Sequence, residues 1–194
     1  ANAGSSITAG GTIDIDDPFD VVLAGQGLSA NGDISVVALN DVDLTAGKVF
    51  SKPGSVSILA DSDGSTAGEF TMFANTSLTA KRSVTLSGQS LSLQAVTAGT
   101  GVDFDAADFI DIDRKIQTTS GIGDLRAGGD LFVDAEVAVS TGSGALSLVA
   151  DSDSDGDGDL LIAQTANSTV SSRDGALTLS GENVFLGSDN FVGL

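Results

Sequence analysis

The sequence predicts an all-β chain wound as a solenoid of short stacked coils. Three observations carry that expectation. Short apolar segments alternate with small polar residues from end to end, the composition favours turns over helices, and a long stretch of the chain repeats itself.

The alternation comes first. Segments such as "SITAGGTIDID", "DVVLAG", "DISVVALNDVDLTAG", "SVSILA", "SVTLSGQSLSLQA", "VDFDAADFIDID", "GDLFVDAEVAV", "ALSLVA" and "GALTLSGENVFLG" follow one another, punctuated by Gly, Asn-Gly or Asp-Gly. Val84 and Leu86, Leu91 and Leu93, and Leu177 and Leu179 each sit two apart, the spacing that puts side chains on one face of a strand. The only prolines, Pro18 and Pro53, fall just outside predicted strands, where a missing N–H breaks no ladder.

Composition points the same way. Of 27 acidic residues only Glu69, Glu136 and Glu182 are Glu, and the rest are Asp, which competes with helix and favours turns. Gly is abundant at 25 residues. At 194 residues the chain is long enough for one sizeable core or two small ones. Hydrophobic residues make up 41% and are patterned, so this is no disordered acidic tail.

The same composition excludes several functions. A formal net charge of -19 repels nucleic-acid phosphates and anionic lipid headgroups, so neither is an expected partner. With no Cys and no His there is no zinc site of the usual ligands, no thiol nucleophile and no histidine-based triad. No apolar run reaches membrane-spanning length, and without Trp or Tyr there is no aromatic girdle to seat a barrel, so membrane insertion is not expected. The chain opens "ANAGSSITAGG" with no recognisable signal peptide and is read as a mature product or a segment of something longer.

Repetition is the third observation. "GSVSILADSDGSTAGEF…" from Gly54 aligns with "GALSLVADSDSDGDGDLL…" from Gly144, an internal duplication of roughly 54–94 and 144–187 within one domain spanning 1–194. The anchors are Ala60 with Ala150, Asp61 with Asp151, Asp63 with Asp153, Ala74 with Ala166 and Gly88 with Gly181. A weaker match sets Gly32 against Gly123. Tandem β-sandwich domains are the alternative architecture for such a period. A solenoid accounts better for a core of Val, Ile, Leu, Ala and a few Phe and for coils of uneven length, since insertions leave as loops.

"ITAGGTIDID", "LNDVDLTAG", "SVTLSGQSLSLQA" and "GALTLSGENVFLG" resemble the coils of filamentous-haemagglutinin-like exoproteins, a family of secreted bacterial adhesins. The resemblance covers nearly the whole chain and rests on coil patterning. It implies a right-handed parallel β-helix and an extracellular or cell-surface setting. It transfers no catalytic or cofactor-binding residue, and no enzyme activity is expected.

One motif suggests chemistry. Asp151, Asp153, Asp155, Asp157 and Asp159 occupy alternate positions around Gly156, and carboxylates on a curled loop converge well on calcium, which takes six to eight oxygens. The EF-hand frame fails, because the twelfth position from Asp151 is Ile162 rather than a bidentate Glu. The bland reading is a solvated turn, and the sister loop supports it by keeping only Asp61, Asp63 and Glu69. The expectation is a turn first, with calcium as the alternative cofactor reading and these five aspartates as its ligands.

Other charged and polar groups read as surface. In "TIDIDD" and "DFIDID" the alternation turns Ile13, Ile15, Ile110 and Ile112 inward and Asp14, Asp16, Asp111 and Asp113 outward, where charge discourages sheet-to-sheet sticking. A cation-binding or catalytic acid pair, as in a calcium-dependent polysaccharide lyase, is the sharper alternative; the absent Trp and Tyr weigh against sugar subsites. Phe19, Phe104 and Phe132 are expected in the core. Lys81-Arg82 and Arg114-Lys115 are expected to neutralise nearby aspartates or tip exposed turns, with contact to an acidic neighbouring subunit as the lesser reading. Asn75 and Asn167 head N-X-S/T sequons at corresponding places in the two copies.

The functional expectation is a structural β-solenoid module of a bacterial surface fibre, coat or adhesin. Its partners would be copies of itself, stacked end to end, or further repeats of the same chain. An adhesive module for a glycan or cell-surface ligand is the alternative, and the lyase a distant third.

Overall fold

The computed structural model describes residues 6–65, 67–134, 138–162 and 168–187. No helix occurs among them. The first coil comprises β1 (Ser6–Ala9), β2 (Ile13–Asp17) and β3 (Val21–Leu23); the second, β4 (Gly27–Ala30), β5 (Ile34–Ala38) and β6 (Val42–Leu44). The third holds β7 (Lys48–Ser51), β8 (Val56–Leu59) and β9 (Glu69–Met72); the fourth, β10 (Ser77–Ala80), β11 (Ser83–Gly88) and β12 (Ser90–Leu93). The fifth holds β13 (Ala95–Ala98), β14 (Gly101–Ala106) and β15 (Ile110–Ile112); the sixth, β16 (Ile116–Thr118), β17 (Gly123–Ala127) and β18 (Leu131–Val133). The seventh holds β19 (Ala138–Thr141), β20 (Leu146–Val149) and β21 (Leu160–Ile162); the eighth, β22 (Thr169–Ser172), β23 (Leu177–Ser180) and β24 (Val184–Leu186).

Every third strand pairs with the next in parallel, giving three sheets of eight strands. This is the solenoid the alternation predicts. The sandwich alternative fails because it needs antiparallel hairpins, and every ladder here is parallel. Each coil rises by one strand spacing, about 4.8 Å.

Because the registers are aligned, like residues stack on like. In the third sheet Val21, Val42, Phe70, Leu91, Ile110 and Leu131 form one inward row. In the second sheet Ile58, Leu86, Phe104, Leu125 and Leu148 form another, all essentially inaccessible to water. Burying each such side chain contributes about 1.5–3 kcal/mol, so the stacked rows are the main source of stability. Gly123 interrupts a neighbouring row; a Cβ there would lie 2.8 Å from Leu146 Cδ1, so that side chain would have to shift. The ladders set Ile34, not Gly32, in the row of Gly123, two residues from the weaker sequence match.

Two of the core phenylalanine expectations are overturned. Phe104 is buried, but Phe19 follows Pro18 into an exposed corner and is 69% accessible. Phe132 is the middle residue of β18, so the pleat turns it outward between Asp111 and Leu161. The isoleucines follow expectation: Ile13, Ile110 and Ile112 are buried and Ile15 packs against the core.

Candidate functional site

The aspartate loop grows from one corner of the coil, between the second and third sheets. There a backbone column climbs the molecule: Gln89 N donates to Gly68 O (2.7 Å), Asp108 N to Gln89 O (2.7 Å), and Gly129 N to Asp108 O (2.7 Å). In two coils the corner opens into a loop. The first leaves the column at Asp61, whose N–H donates to Asn40 O, and rejoins at Gly68. The second leaves at Asp151, whose N–H donates to Gly129 O, and rejoins at Gly158, whose carbonyl accepts from Glu182 N. Both necks close on a buried glycine: a Cβ on Gly68 would lie 2.3 Å from Asp61 N, and one on Gly158 2.5 Å from Asp151 N.

Within the second loop the backbone enters left-handed at Asp151 (φ 53°) and again at Ser154 (φ 61°) and Gly156 (φ 85°). Carboxylates hold that path. Asp151 Oδ1 accepts from Gly156 N (3.0 Å), Asp153 Oδ1 from Asp155 N (3.4 Å), and Asp155 Oδ1 from Asp157 N (3.0 Å). Asp151, Asp153 and Asp155 each bring a carboxylate oxygen within 4.8 Å of the others, close enough to share one cation. Asp157 and Asp159 stand outside this group. Asp159 is the first residue beyond the neck, and its Oδ1 accepts instead from Asn183 Nδ2 (2.8 Å).

The sister loop has the same frame and fewer acids. Asp61 (φ 55°) and Gly64 (φ 67°) repeat the left-handed entry. Ser65 N donates to both Asp61 Oδ1 (2.7 Å) and Asp63 Oδ1 (3.0 Å), so Ser65 stands where the other loop has Asp155. Glu69 lies beyond the neck at the start of β9, where its N–H donates to Asp41 Oδ1 (3.0 Å). Between the two loops runs a groove of about 380 Å³, walled by Asp61 and Asp153 and floored by Ser87, Gly88, Asp105 and Gly128.

A second acidic group enlarges a pair already marked in "DFIDID", by one residue that the sequence does not announce. Asp111 and Asp113 are joined by Asp134 from the next coil, again with oxygens within 4.8 Å. The signal lies in the register: Val133 stacks on Ile112, so the residue after each also stacks. Buried Gln94 donates to Asp113 Oδ2 at 2.6 Å. Asp111, the middle residue of β15, points out of the sheet but is only half exposed; burial, then the charges of Asp113 and Asp134, raise its pKa to about 6. Burial also raises Asp134, together with its hydrogen bond and charge interaction with Asp113, and it raises Asp43, together with Asp41 and Asp20. Three carboxylates and a side-chain amide could hold a hard cation or share a proton.

The basic pairs do one of the two things expected. Lys81, Arg82, Arg114 and Lys115 all tip exposed turns. Charge neutralisation falls instead to Arg126, in an outward row of the second sheet, which meets Asp124 (2.9 Å), Asp103 (3.3 Å) and Asp105 (3.9 Å). Among the described residues these are the ion pairs. Asn75 sits exposed in a turn at φ 69°, and Asn167 lies outside the described residues.

The fold and site define a β-solenoid repeat protein with two acidic loops on one edge. No protein-family model matches the chain, no curated protein matches it in sequence, and no solved structure matches it.

Proposed function

We propose that this chain is a structural, extracellular β-solenoid module of a bacterial surface fibre, coat or adhesin, and not an enzyme. The observation that supports this most is the economy of the coil. Most strand residues serve either an inward apolar row or an outward row, and much of the outward surface is small and polar, as in Thr79, Thr97, Gln117 and Ser140 on the first sheet. Parallel ladders without interruption make a stiff object, and rows of Ser, Thr and Asp keep its faces wet. The resemblance of its coil patterning to that of filamentous-haemagglutinin-like exoproteins supports the location. Antibody against the chain should label intact, unpermeabilised cells that produce it; labelling only after permeabilisation would overturn the extracellular reading.

A second reading is favoured by the groove between the acidic loops: an adhesive module that holds a glycan or surface ligand through a shared calcium. Binding to a glycan array that appears with calcium and is lost in Asp153→Asn would support it. Binding unchanged by chelator would remove the metal from that reading.

A further inference from the structure

The corner between the first and second sheets is built from different residues in each coil, and in the second coil it is Asn31-Gly32. Asn31 is exposed and lies between β4 and β5, in neither strand. Its N–H donates to Ala9 O (3.1 Å), which anchors the backbone on the coil below. Its side-chain amide has no hydrogen-bond partner among the described residues.

The amide that follows is what sets this corner apart. At the matching place in later coils, Arg82 N donates to Gly54 O (3.0 Å), Thr100 N to Arg82 O (3.1 Å) and Ser120 N to Gly99 O (2.9 Å). Gly32 N has no acceptor among the described residues. It is therefore held by no ladder, and glycine puts no side chain in the way of its approach to the residue before it.

The other asparagines among the described residues lack this combination. After Asn75, Thr76 N donates to Phe73 O (3.2 Å); after Asn40, Asp41 N donates to Asp20 Oδ1 (3.5 Å). Asn183 precedes Val184 at the start of β24, and its Nδ2 donates to Asp159 Oδ1 (2.8 Å). Thr76 and Val184 are also β-branched, which crowds the amide between them and the asparagine.

We infer that Asn31 is a site of spontaneous deamidation, at which Gly32 N closes a five-membered imide on Asn31 Cγ. Gly32 N gives its proton to base in the solvent as the N–C bond forms, and Nδ2 leaves as ammonia. Water then opens the imide in one of two ways. Cleavage between Gly32 N and Cγ leaves aspartate on the original main chain. Cleavage between Gly32 N and the α-carbonyl carbon leaves isoaspartate, whose main chain runs through Cβ and Cγ and is one carbon longer.

The corner accepts these products unequally. Aspartate adds only a charge to an exposed side chain. Gly32, however, sits in a tight column with Gly11 and Gly54: a Cβ on Gly32 would lie 2.9 Å from Gly11 C, and one on Gly54 2.7 Å from Gly32 C. Gly32 O also accepts from Oγ of buried Ser51 (2.7 Å). Isoaspartate lengthens the backbone where these three coils touch, so it draws Gly32 off Ser51 and loosens the stack. The site acts as a clock on the age of the folded chain.

The test ages the pure chain in mildly alkaline buffer, folded and in urea. Digests are then read by mass spectrometry, with isoaspartate labelled by an isoaspartyl methyltransferase. In the folded chain Asn31 should convert about tenfold or more faster than Asn40, Asn75 and Asn183, with both products present. Conversion of folded Asn31 no faster than that of Asn75 overturns the proposal; if the urea sample converts readily, the corner itself protects the amide. Asn31→Asp should keep the urea midpoint of the parent chain, whereas the isoaspartate form, separated by ion exchange, should unfold at lower urea. Equal midpoints for all three would overturn the loosening.

Discussion

The loops Asp61–Gly68 and Asp151–Gly158 are the same device built twice, four coils or about 19 Å apart on one edge. Both leave the column through a left-handed Asp, turn back on a carboxylate that accepts a backbone N–H, and close on a buried glycine. They differ in what fills that frame. The first uses Ser65 to satisfy Asp61 and Asp63, whereas the second supplies a third carboxylate, Asp155, and so gathers uncompensated negative charge. Geometry is shared because the corner dictates it. Chemistry is free to diverge because the tips are solvated.

The largest effect should come from the shared part. Gly68→Val or Gly158→Val drives a side chain into the backbone of Asp61 or Asp151, and each should cost about 3 kcal/mol in equilibrium urea denaturation. If only one neck is sensitive, the loops do not close in the same way.

Calcium tests the part that differs. The second loop should bind it with a Kd of about 10⁻⁴–10⁻³ M, stabilising the chain by about 1.4–2.7 kcal/mol in 10 mM calcium. Asp153→Asn should abolish the heat seen by titration calorimetry and Asp63→Asn should leave it unchanged. Equal loss from both would mean that the groove between the loops, and not the second loop alone, holds the ion.

The sheet-face acids supply a contrast in burial. Asp111 has a folded pKa of about 6 against an ordinary value of 3.8, so its contribution favours the fold fully below that ordinary value and is lost as pH rises through 6. In chelator, Asp111→Asn should therefore stabilise the chain at pH 7–8 by on the order of 1 kcal/mol, allowing for its partial exposure, and flatten the stability curve between about pH 4 and 6. No gain at neutral pH would show that the carboxylate is better solvated than its surroundings imply.

The smallest effect is at the fourth loop position, where the sister loop has Gly64 and this one Ser154, both left-handed. Ser154→Gly should gain about 0.5 kcal/mol and Gly64→Ser lose a similar amount. Opposite signs in the two loops would confirm the matched backbone.

The period-two pattern made the inward rows legible, because a strand's facing is a local property: Val84 and Leu86, or Ile110 and Ile112, need no knowledge of their neighbours. The loops were legible for the same reason, through Asp and Gly at their turns. What was not legible depends on stacking between residues about 20 apart. Arg126 meets Asp103 and Asp105 only because β14 and β17 pair in that register. Asp134 joins Asp111 and Asp113 only because Val133 stacks on Ile112. Phe19 and Phe132 show the limit of composition, since an aromatic residue is placed by its position in the pleat or corner and not by its hydrophobicity.

The central claim is that the chain winds as eight coils, each stacked on the last through parallel ladders. Diffraction from crystals of the pure chain tests it most directly. The account predicts three parallel sheets with a spacing near 4.8 Å along the coil axis and eight stacked rungs, about 38 Å, in each chain. Antiparallel hairpins packed as a sandwich would contradict it.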